Sequence, residues 1–458
     1  MIATRLAPPL AIAAGRASGR WGFGPTPRTV LLLALGLVLV IPGWVDRRAL
    51  VLMAVWDVLV LALAAVDLRR LPSPGELTVT RSWSDPLSLG RPASVAIRVA
   101  NHGSSGVDVQ LADYTNHSLR RDLALIDFAV AAHDEAERRF DVQPRERGDI
   151  MVGSVAMSWQ SGWQLAERWA EAPVRQTVRV YPDIREGRDE ALYLIRSRQV
   201  ALEKRRSAYP GAGREFESLR DHRDGDESRD ICWTASARRG KLVTRVYQPE
   251  RSQAVWILVD AGRLLRARIG DRTTLDLSVT AALTLAQVAL GSGDRVGLLS
   301  YGRRLQHRVA PARGAGHLRT LLEALATVHA DGVDADHATA AATVLASQRR
   351  RGLIVWFTDV AETAGVPEVI EQAMTMTSRH VVLFVVLRQA DLHDLAQRSP
   401  DTPEDMYRVL AAQETLERRE ALLHGLRQRG ALVLEVGAEE MSASVIDRYL
   451  EVKERGLL

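Results

Sequence analysis

The chain has 458 residues, 47% of them hydrophobic and 25% charged, which excludes a disordered protein and leaves room for two or three domains. Its formal net charge is +4, but acidic and basic residues are interleaved along the chain, so no basic stripe indicates nucleic-acid binding. Cys232 is the only cysteine, which excludes a disulfide framework and a zinc knuckle and fits a reducing compartment.

Two apolar runs lie near the start of the chain. Residues 30–44 carry no charge, and residues 50–66 carry only Asp57. Each run is shorter than the roughly 20 residues that a helix needs to cross the hydrocarbon core, so flanking residues must complete the spans. The pattern predicts a two-helix transmembrane hairpin over residues 29–70, after an N-terminal segment of residues 1–28. A cleavable signal peptide is the alternative, but no small-residue cleavage pattern stands between the runs.

Arginines near the two runs predict the orientation of this hairpin. Only Arg47 and Arg48 lie between the runs. The arginines on the outer sides are Arg5, Arg16, Arg20, Arg28, Arg69, Arg70 and Arg81. By the positive-inside rule, both ends of the chain are expected in the cytoplasm. Asp57 has two open interpretations, a helix-pairing or assembly contact and a partly hydrated carboxyl in a short helix.

Residues 71–185 change to short runs in which apolar and polar residues alternate. Glycine, asparagine, proline and serine separate these runs, and this pattern predicts an antiparallel β-sandwich. His102, His117 and His133 are scattered among polar loop residues, so we expect them on the surface and not as metal ligands.

Residues 186–250 form a linker that leads into a segment rich in arginine and aspartate. Its densest part, from Gly213 to Arg245, combines many acids and bases with Phe216 and Trp233 and has no helical or strand period. Three interpretations stay open. The segment is a solvated loop, a docking surface in which arginines meet carboxylates around a buried tryptophan, or a seal between two domains.

In residues 251–458, apolar runs typical of strands alternate with helical patterns, which predicts a doubly wound parallel sheet and an α/β domain. Asp260 and Asp359 each follow a strand, at the edge where ligands gather. Acids there suggest Mg²⁺, with hydroxyls two and four residues after the first acid. Those positions hold Gly262 and Leu264, so the ligand set is depleted. Alternatively, both aspartates bond nearby backbone N–H groups.

No complete catalytic motif is present. The sequence lacks a phosphate-binding loop, a dinucleotide motif, a zinc-protease motif and a hydrolase nucleophile elbow. Cys232 has His222 ten residues away, but no third group completes a catalytic set. These observations favour a non-enzymatic protein. The alternative is a metal-dependent hydrolase that uses Asp260 and Asp359.

The charged segment also carries a recognisable pattern. Its residues are Glu215, Phe216, Leu219, Arg220, Gly225, Asp226, Arg229, Ile231, Trp233, Ser236, Ala237, Arg238, Leu242 and Arg245. The pattern resembles the signature of domain-of-unknown-function family fifty-eight (DUF58), bacterial membrane-anchored proteins with a von Willebrand factor A-like domain. The apolar runs and the β domain, which closes in Val180-Tyr181-Pro182, are also similar to this family.

The resemblance implies a partner and not a reaction. Family members are thought to act with MoxR-type AAA+ ATPases in assembly or maturation of protein complexes or in envelope stress responses. It therefore implies an adaptor in the bacterial inner membrane, with its main domains facing the cytoplasm. The expected binding residues are Glu215, Phe216, Arg220, Gly225, Asp226, Arg229, Trp233, Ser236, Arg238 and Arg245.

Three departures from the family pattern affect these expectations. The family usually has an aromatic residue where this chain has His222, and an acid where it has Cys232. Von Willebrand A-like domains often bind partners through a metal ion, so the resemblance also implies a metal-bridged adhesion module with Asp260 and Asp359 as alternative. The loss of both hydroxyls after Asp260 puts Mg²⁺ at this site in doubt.

Overall fold

A computed structural model describes most of the chain and shows a mixed α/β protein. The described residues are 12–16, 18–38, 40–43, 48–83, 86–120, 122, 124–183, 215–223, 228–248, 253–359 and 368–457. The chain divides into two compact units, Met1–Tyr181 and Pro182–Leu458. Each unit has its own sheets and helices and is described by itself.

The first unit begins with two strands, β1 (Ile12–Arg16) and β2 (Ser18–Pro25). They lie in the predicted N-terminal segment, and the sequence analysis missed them. β1 pairs with β3 (Leu77–Trp83), and β2 pairs with β11 (Ala166–Ala172). The strands before the apolar runs are therefore built into the same sheets as the strands after them.

Three helices follow β2. They are α1 (Pro27–Leu37), a short α2 (Val40–Gly43) and α3 (Arg48–Arg70). The indole Nε1 of Trp56 on α3 donates to the carbonyl oxygen of Leu32 on α1 at 2.8 Å. A Cβ atom at Gly36 would lie 2.6 Å from Asp57 Oδ1, so a larger residue there would displace the side chains that α3 packs against α1.

Two helices among the described residues are long and apolar enough to cross a membrane, judged by length and composition alone. One is the stretch Arg48–Glu76, which contains α3 and is only 6% buried. The other, Thr274–Gly291, is 83% buried inside the second unit. Burial in a protein core explains the apolar character of the second helix but not that of α3.

The rest of the first unit is made of strands. They are β4 (Leu87–Ser88), β5 (Ala93–Asn101), β6 (Val107–Asp113), β7 (Ala124–Val130), β8 (Glu135–Val142), β9 (Gly148–Val152), β10 (Val155–Gln160) and β12 (Gln176–Tyr181). The sheet orders are β1-β3-β5-β8, β2-β11-β10-β6-β7 and β4-β12-β9. Burial alternates along β3, β6 and β10, as the alternating sequence predicts.

A buried ion pair connects two of these sheets. Arg81 of β3 and Asp113 of β6 are both fully buried. Arg81 Nε donates to Asp113 Oδ2 at 3.2 Å, and Nη1 donates to the carbonyl oxygens of Gly153 and Val174 at 3.0 Å each. The guanidinium is therefore neutralised and hydrogen-bonded without water, as a buried cation requires.

The second unit opens with an antiparallel strand pair, β13 (Glu215–Asp221) and β14 (Val243–Gln248), with the short helix α4 (Trp233–Arg239) between them. Strands β15 (Ala254–Asp260), β16 (Arg268–Ile269), β17 (Arg272–Thr273), β18 (Arg295–Tyr301), β19 (Leu305–Ala312), β20 (Leu353–Phe357), β21 (Val381–Leu387) and β22 (Leu432–Val436) follow. The helices are α5 (Thr274–Gly291), α6 (Ala315–Thr327), α7 (His337–Ser347), α8 (Glu368–Thr377), α9 (Ala390–Gln397), α10 (Pro403–Gln428) and α11 (Met441–Glu454).

The main sheet has the order β19-β18-β15-β20-β21-β22. All neighbours are parallel except β18 and β19, so β19 is an antiparallel edge strand. Residues of α7, α8 and α10 form one core with alternate residues of β15, β20 and β21. Helices α5 and α11 pack against each other and against β15, β18 and β22. Every residue of β15 is buried, which explains why its sequence is continuously apolar.

Candidate functional site

The carboxyl edge of the main sheet brings Asp260 next to Thr358. Asp260 ends β15 and is 3% exposed. Its Oδ1 accepts from the backbone N–H of Gly262 at 2.7 Å, and its Oδ2 accepts from the hydroxyl of Thr358 at 2.6 Å. Burial raises the pKa of the Asp260 carboxyl, while the nearby His337 lowers it. The bond from Gly262 is a local backbone bond of the kind expected as the alternative to a metal.

Asp359 lies beside Asp260 and is held by a buried arginine. Arg419 of α10 forms an ion pair with Asp359 Oδ1, and both side chains are 6% exposed. Gln389 Nε2 donates to Asp359 Oδ2 at 3.1 Å. Arg419 Nη2 also donates to the carbonyl oxygen of Leu387 at 2.6 Å. The chain thus supplies its own cation at the position where a metal was predicted.

Three hydrogen-bonded rings, those of Trp356, Tyr301 and His337, lie next to the same edge. The indole Nε1 of Trp356 donates to the hydroxyl of Tyr301 at 2.6 Å, and this hydroxyl lies 2.9 Å from His337 Nδ1. An indole N–H can only donate, so the Tyr301 hydroxyl accepts from Trp356 and can donate its own proton to His337 Nδ1. A neutral His337 then carries its proton on Nε2. The sequence analysis missed His337 and Arg419, because their partners lie far away in the chain.

Several contacts at this edge occupy groups that could otherwise bind Mg²⁺. Among the residues that the structure describes, no three His, Cys, Asp or Glu side chains form a group that could hold a metal. Thr273 and Thr274, which could have added hydroxyls, cap α5 with Asp276 and bond the carbonyl oxygen of Ala267, respectively. Arg419 would repel a cation next to Asp359. A metal at Asp260 and Asp359 stays a prediction that titration must test.

Asp260→Asn is expected to raise the free energy of unfolding at pH 7. An aspartate whose folded pKa is raised contributes stability below the usual aspartate range and loses it as the pH rises through the folded pKa. An asparagine at this position avoids the buried charge, since its oxygen can accept from Gly262 and its NH₂ group can donate to Thr358. Urea unfolding of both chains at pH 4 and pH 7 measures the effect. The gain should shrink at pH 4, and an equal gain at both pH values would contradict this account. Asp359→Asn is the control and should destabilise, because it removes an ion pair.

The charged signature segment forms a small, separately hydrogen-bonded motif. The hydroxyl of Ser236 donates to the carbonyl oxygen of Cys232 at 2.9 Å and accepts from the N–H of Val243 at 2.9 Å. This single buried serine ties α4 to β14. Gly240 ends α4 with a φ of +66°, which glycine adopts without strain. Ser236, predicted as a binding residue, therefore has a structural role in this motif.

Trp233 lies on the surface, and not in the interior as the docking interpretation predicted. Its side chain is 67% exposed. Helix α4 has only seven residues, and its buried contacts come from Cys232 and Ser236. Arg238, like Trp233, is exposed, so the outer face of α4 combines an aromatic ring with a cation.

The other predicted binding residues are spread over this motif. Arg220 is half-buried on β13, and Arg245 is exposed on β14. Gly225 and Asp226 lie outside the described residues. The side chains of the remaining three also lie outside the described part; they belong to Glu215, Phe216 and Arg229.

Cys232 and His222 do not pair. The guanidinium of Arg245, followed by the backbone N–H of Ala235, lowers the pKa of the Cys232 thiol. The imidazole Nδ1 of His222 instead lies 2.8 Å from the hydroxyl of Thr244. His222 and Cys232, the two departures from the family pattern within the charged segment, therefore each have a local partner.

Comparison with known proteins finds a family whose sequence model matches part of the chain. Residues 218–399 match the sequence model of "Protein of unknown function DUF58". An uncharacterized protein of Mycobacterium tuberculosis is 26% identical over 269 residues, which are 54% of this chain and 82% of that protein. The uncharacterized protein YeaD of Bacillus subtilis is 30% identical over 118 residues, or 26% of this chain and 27% of YeaD.

Similar solved structures are distant. The conserved hypothetical protein BatB of Bacteroides thetaiotaomicron is 10% identical, with a TM-score of 0.30 over 44% of this chain and 100% of BatB. The CARDB domain of a Pyrococcus furiosus protein is 14% identical, with a TM-score of 0.16 over 22% of this chain and 87% of that domain.

Proposed function

Because residues 218–399 match the DUF58 family model, we propose that the chain is a membrane-tethered adaptor and not an enzyme. It acts with an AAA+ ATPase of the MoxR type in the assembly or maturation of protein complexes or in an envelope stress response. The observation that carries this proposal is the exposure of Trp233 on α4, next to exposed basic residues.

We define the Trp233 surface as Trp233, Arg238, Arg239, Lys241 and Leu242. Trp233 is 67% exposed and Leu242 is 46% exposed. The three basic side chains are also exposed, and Lys241 Nζ lies 2.7 Å from Asp221 Oδ2. An exposed tryptophan with arginines around it has the composition of an interface hot spot. The partner is therefore expected to offer an apolar pocket bordered by acidic side chains.

The main sheet supports an adaptor with a von Willebrand factor A-like domain. Its parallel strands, the antiparallel edge strand β19 and the order β19-β18-β15-β20-β21-β22 agree with a doubly wound domain of this type. We infer that the carboxyl edge around Asp260 is a degenerate adhesion site. Arg419 there supplies the positive charge that a metal would supply in a complete site.

The first unit supports a membrane anchor. β2 ends at Pro25, two residues before α1 begins, and β3 begins at Leu77, soon after α3 ends. Both strands belong to the β-sheets of the first unit, so the apolar helices leave these sheets after β2 and return to them at β3. We infer a two-helix transmembrane hairpin in the bacterial inner membrane. By the positive-inside rule, the arginines at its base favour a cytoplasmic location for the main domains.

A metal-dependent hydrolase or a metal-bridged adhesion module is the second candidate. It is favoured by the position of Asp260 and Asp359 at one edge of the sheet. Calorimetric titration of the full chain with Mg²⁺ and Mn²⁺ tests both versions. Binding at millimolar or lower concentration would support them, and no heat of binding would remove them.

Trp233→Ala is expected to weaken binding of the AAA+ ATPase by about 30-fold, the loss typical of a hot-spot residue worth about 2 kcal/mol. The full chain in nanodiscs is titrated with a MoxR-type ATPase from the same organism, and the dissociation constant is measured by biolayer interferometry. Trp169→Ala is the matched control, since Trp169 is 45% exposed on the first unit. Unchanged affinity of Trp233→Ala, with normal folding, would exclude the Trp233 surface as the docking site.

A further inference from the structure

One turn of the first unit is fastened to the base of α3. The turn comprises residues 161–165, between β10 and β11. Asp67, in the last turn of α3, is 1% exposed and accepts a hydrogen bond from the hydroxyl of Ser161. Its other carboxylate oxygen accepts from the N–H groups of Leu165 and Ala166 at 3.0 Å each. A buried carboxylate with three donors fixes the turn against the helix.

The same turn is also fastened to the start of α1. The hydroxyl of Thr26 donates to the carbonyl oxygen of Gln164, and the hydroxyl of Thr29 donates to that of Leu165 at 2.5 Å. Gln164 has a φ of +54°, a conformation that costs free energy for a residue other than glycine. Such a conformation persists where surrounding contacts determine it, which agrees with the two helix attachments.

A tryptophan on this turn lies next to helix arginines where the apolar surface of the helices ends. Trp163 is 45% exposed, and the guanidinium of Arg70 lies 4.4 Å from the centre of its ring. Arg28 and Arg69 are also exposed at the bases of α1 and α3. Beyond them, α3 carries many exposed apolar side chains between Leu50 and Val66. Aromatic and basic residues at the end of an apolar helix are typical of a membrane interface.

We propose that Trp163, Arg28, Arg69 and Arg70 form a binding surface for anionic phospholipids, which we call the interfacial surface. The three guanidinium groups bind headgroup phosphates, and the indole of Trp163 lies at the level where headgroups meet acyl chains. The bonds of Asp67, Thr26 and Thr29 then hold the sandwich at a fixed height above the membrane. This inference rests on the proposed membrane anchor.

Quenching of tryptophan fluorescence by brominated lipids tests the inference. The full chain is reconstituted in mixed phosphatidylcholine and phosphatidylglycerol vesicles in which one of the two lipids carries bromine near the headgroup end of its acyl chains. The difference between the chain and its Trp163→Phe variant isolates the signal of Trp163. We expect brominated phosphatidylglycerol to quench this signal about fivefold more than brominated phosphatidylcholine at equal mole fraction, the preference that one arginine contact gives.

Substitution of the arginines tests the charge. The variant Arg28→Gln/Arg69→Gln/Arg70→Gln should lose the preference for phosphatidylglycerol. The control Arg139→Gln/Arg175→Gln removes two exposed arginines elsewhere in the first unit and should keep it. Equal quenching by the two lipids in the unsubstituted chain would overturn the proposed anionic surface.

Two further tryptophans separate this inference from the anchor itself. Trp56 lies within α3, so its signal, isolated with Trp56→Phe, reports insertion of the helices. Quenching of Trp56 without quenching of Trp163 would refute the interfacial surface and leave the anchor. A Trp56 signal that no brominated lipid quenches would refute the anchor. Trp169, which has the same exposed fraction as Trp163 but lies three residues along β11 from Ala166, should stay unquenched.

Discussion

Arg81→Met is expected to lower the free energy of unfolding of the first unit by about 3–5 kcal/mol. The substitution leaves Asp113 fully buried without its cation and removes the donor to the carbonyl oxygens of Gly153 and Val174. Burial already raises the pKa of the Asp113 carboxyl, and Arg81 is the group that opposes this effect. Hydrogen exchange of the amides of β3 and β6, measured on the full chain in nanodiscs, reports the loss in this unit alone.

Two variants test whether the loss comes from the unpaired charge. Arg81→Met combined with Asp113→Leu should recover much of the stability, because it removes both charges and leaves apolar side chains of similar size. Arg98→Met is the control on the adjacent strand β5. Its side chain is 50% exposed and pairs with Glu137 at 3.0 Å, so the expected loss is much smaller than that of Arg81→Met. Similar losses for Arg81→Met and Arg98→Met would contradict the assignment.

The buried strands of the main sheet follow closely from the sequence. The segment from Gly213 to Arg245, in which no strand or helical period was found, nevertheless contains β13, α4 and the start of β14. The apolar run AVWILVD predicts a buried strand, and β15 covers these residues with each of them buried. The strands that contain Trp356 and Phe384 were found for the same reason. Continuous burial leaves a local signature, since every position must be apolar. By contrast, β1 has only five residues and β2 contains three glycines, so pairing with distant strands is needed to stabilise them.

The candidate sites divide in the same way. Asp260 and Asp359 were found because an acid after an apolar run is a local signal. Arg419 was not, since it lies 60 residues from Asp359 on a helix whose other charges are mostly solvated. Nothing in the local pattern of a long charged helix distinguishes a buried arginine from an exposed one. The residues around Trp233 indicated an interaction from their composition alone. Whether the ring is exposed could not be predicted, because that depends on which side chains pack beneath α4.

Arg419→Met is expected to destabilise the second unit by about 3–5 kcal/mol, because Asp359 then keeps a buried charge without its cation. The carbonyl oxygen of Leu387 also loses its donor. Urea unfolding of the full chain, with hydrogen exchange of β20 and β21 as the local measurement, tests this prediction. Arg418→Met, at the preceding residue, is the matched control. Arg418 is 46% exposed and pairs with Glu414 on the same helix, so its loss should stay below about 0.5 kcal/mol.

Addition of Mg²⁺ and a double variant test whether Arg419 takes the place of a metal ion at the candidate adhesion site. If the guanidinium takes the place of a metal ion, the unsubstituted chain should gain no stability from millimolar Mg²⁺, because Asp359 is already neutralised. Stabilisation of the unsubstituted chain by Mg²⁺ would show that the ion pair and a metal coexist, and the metal-bridged alternative would then be preferred. Arg419→Met combined with Asp359→Leu should be more stable than Arg419→Met alone, since the unpaired charge is gone. Asp359 and Arg419 would then hold β20 against α10 at the carboxyl edge, so partner docking would depend on the Trp233 surface and not on a bound ion.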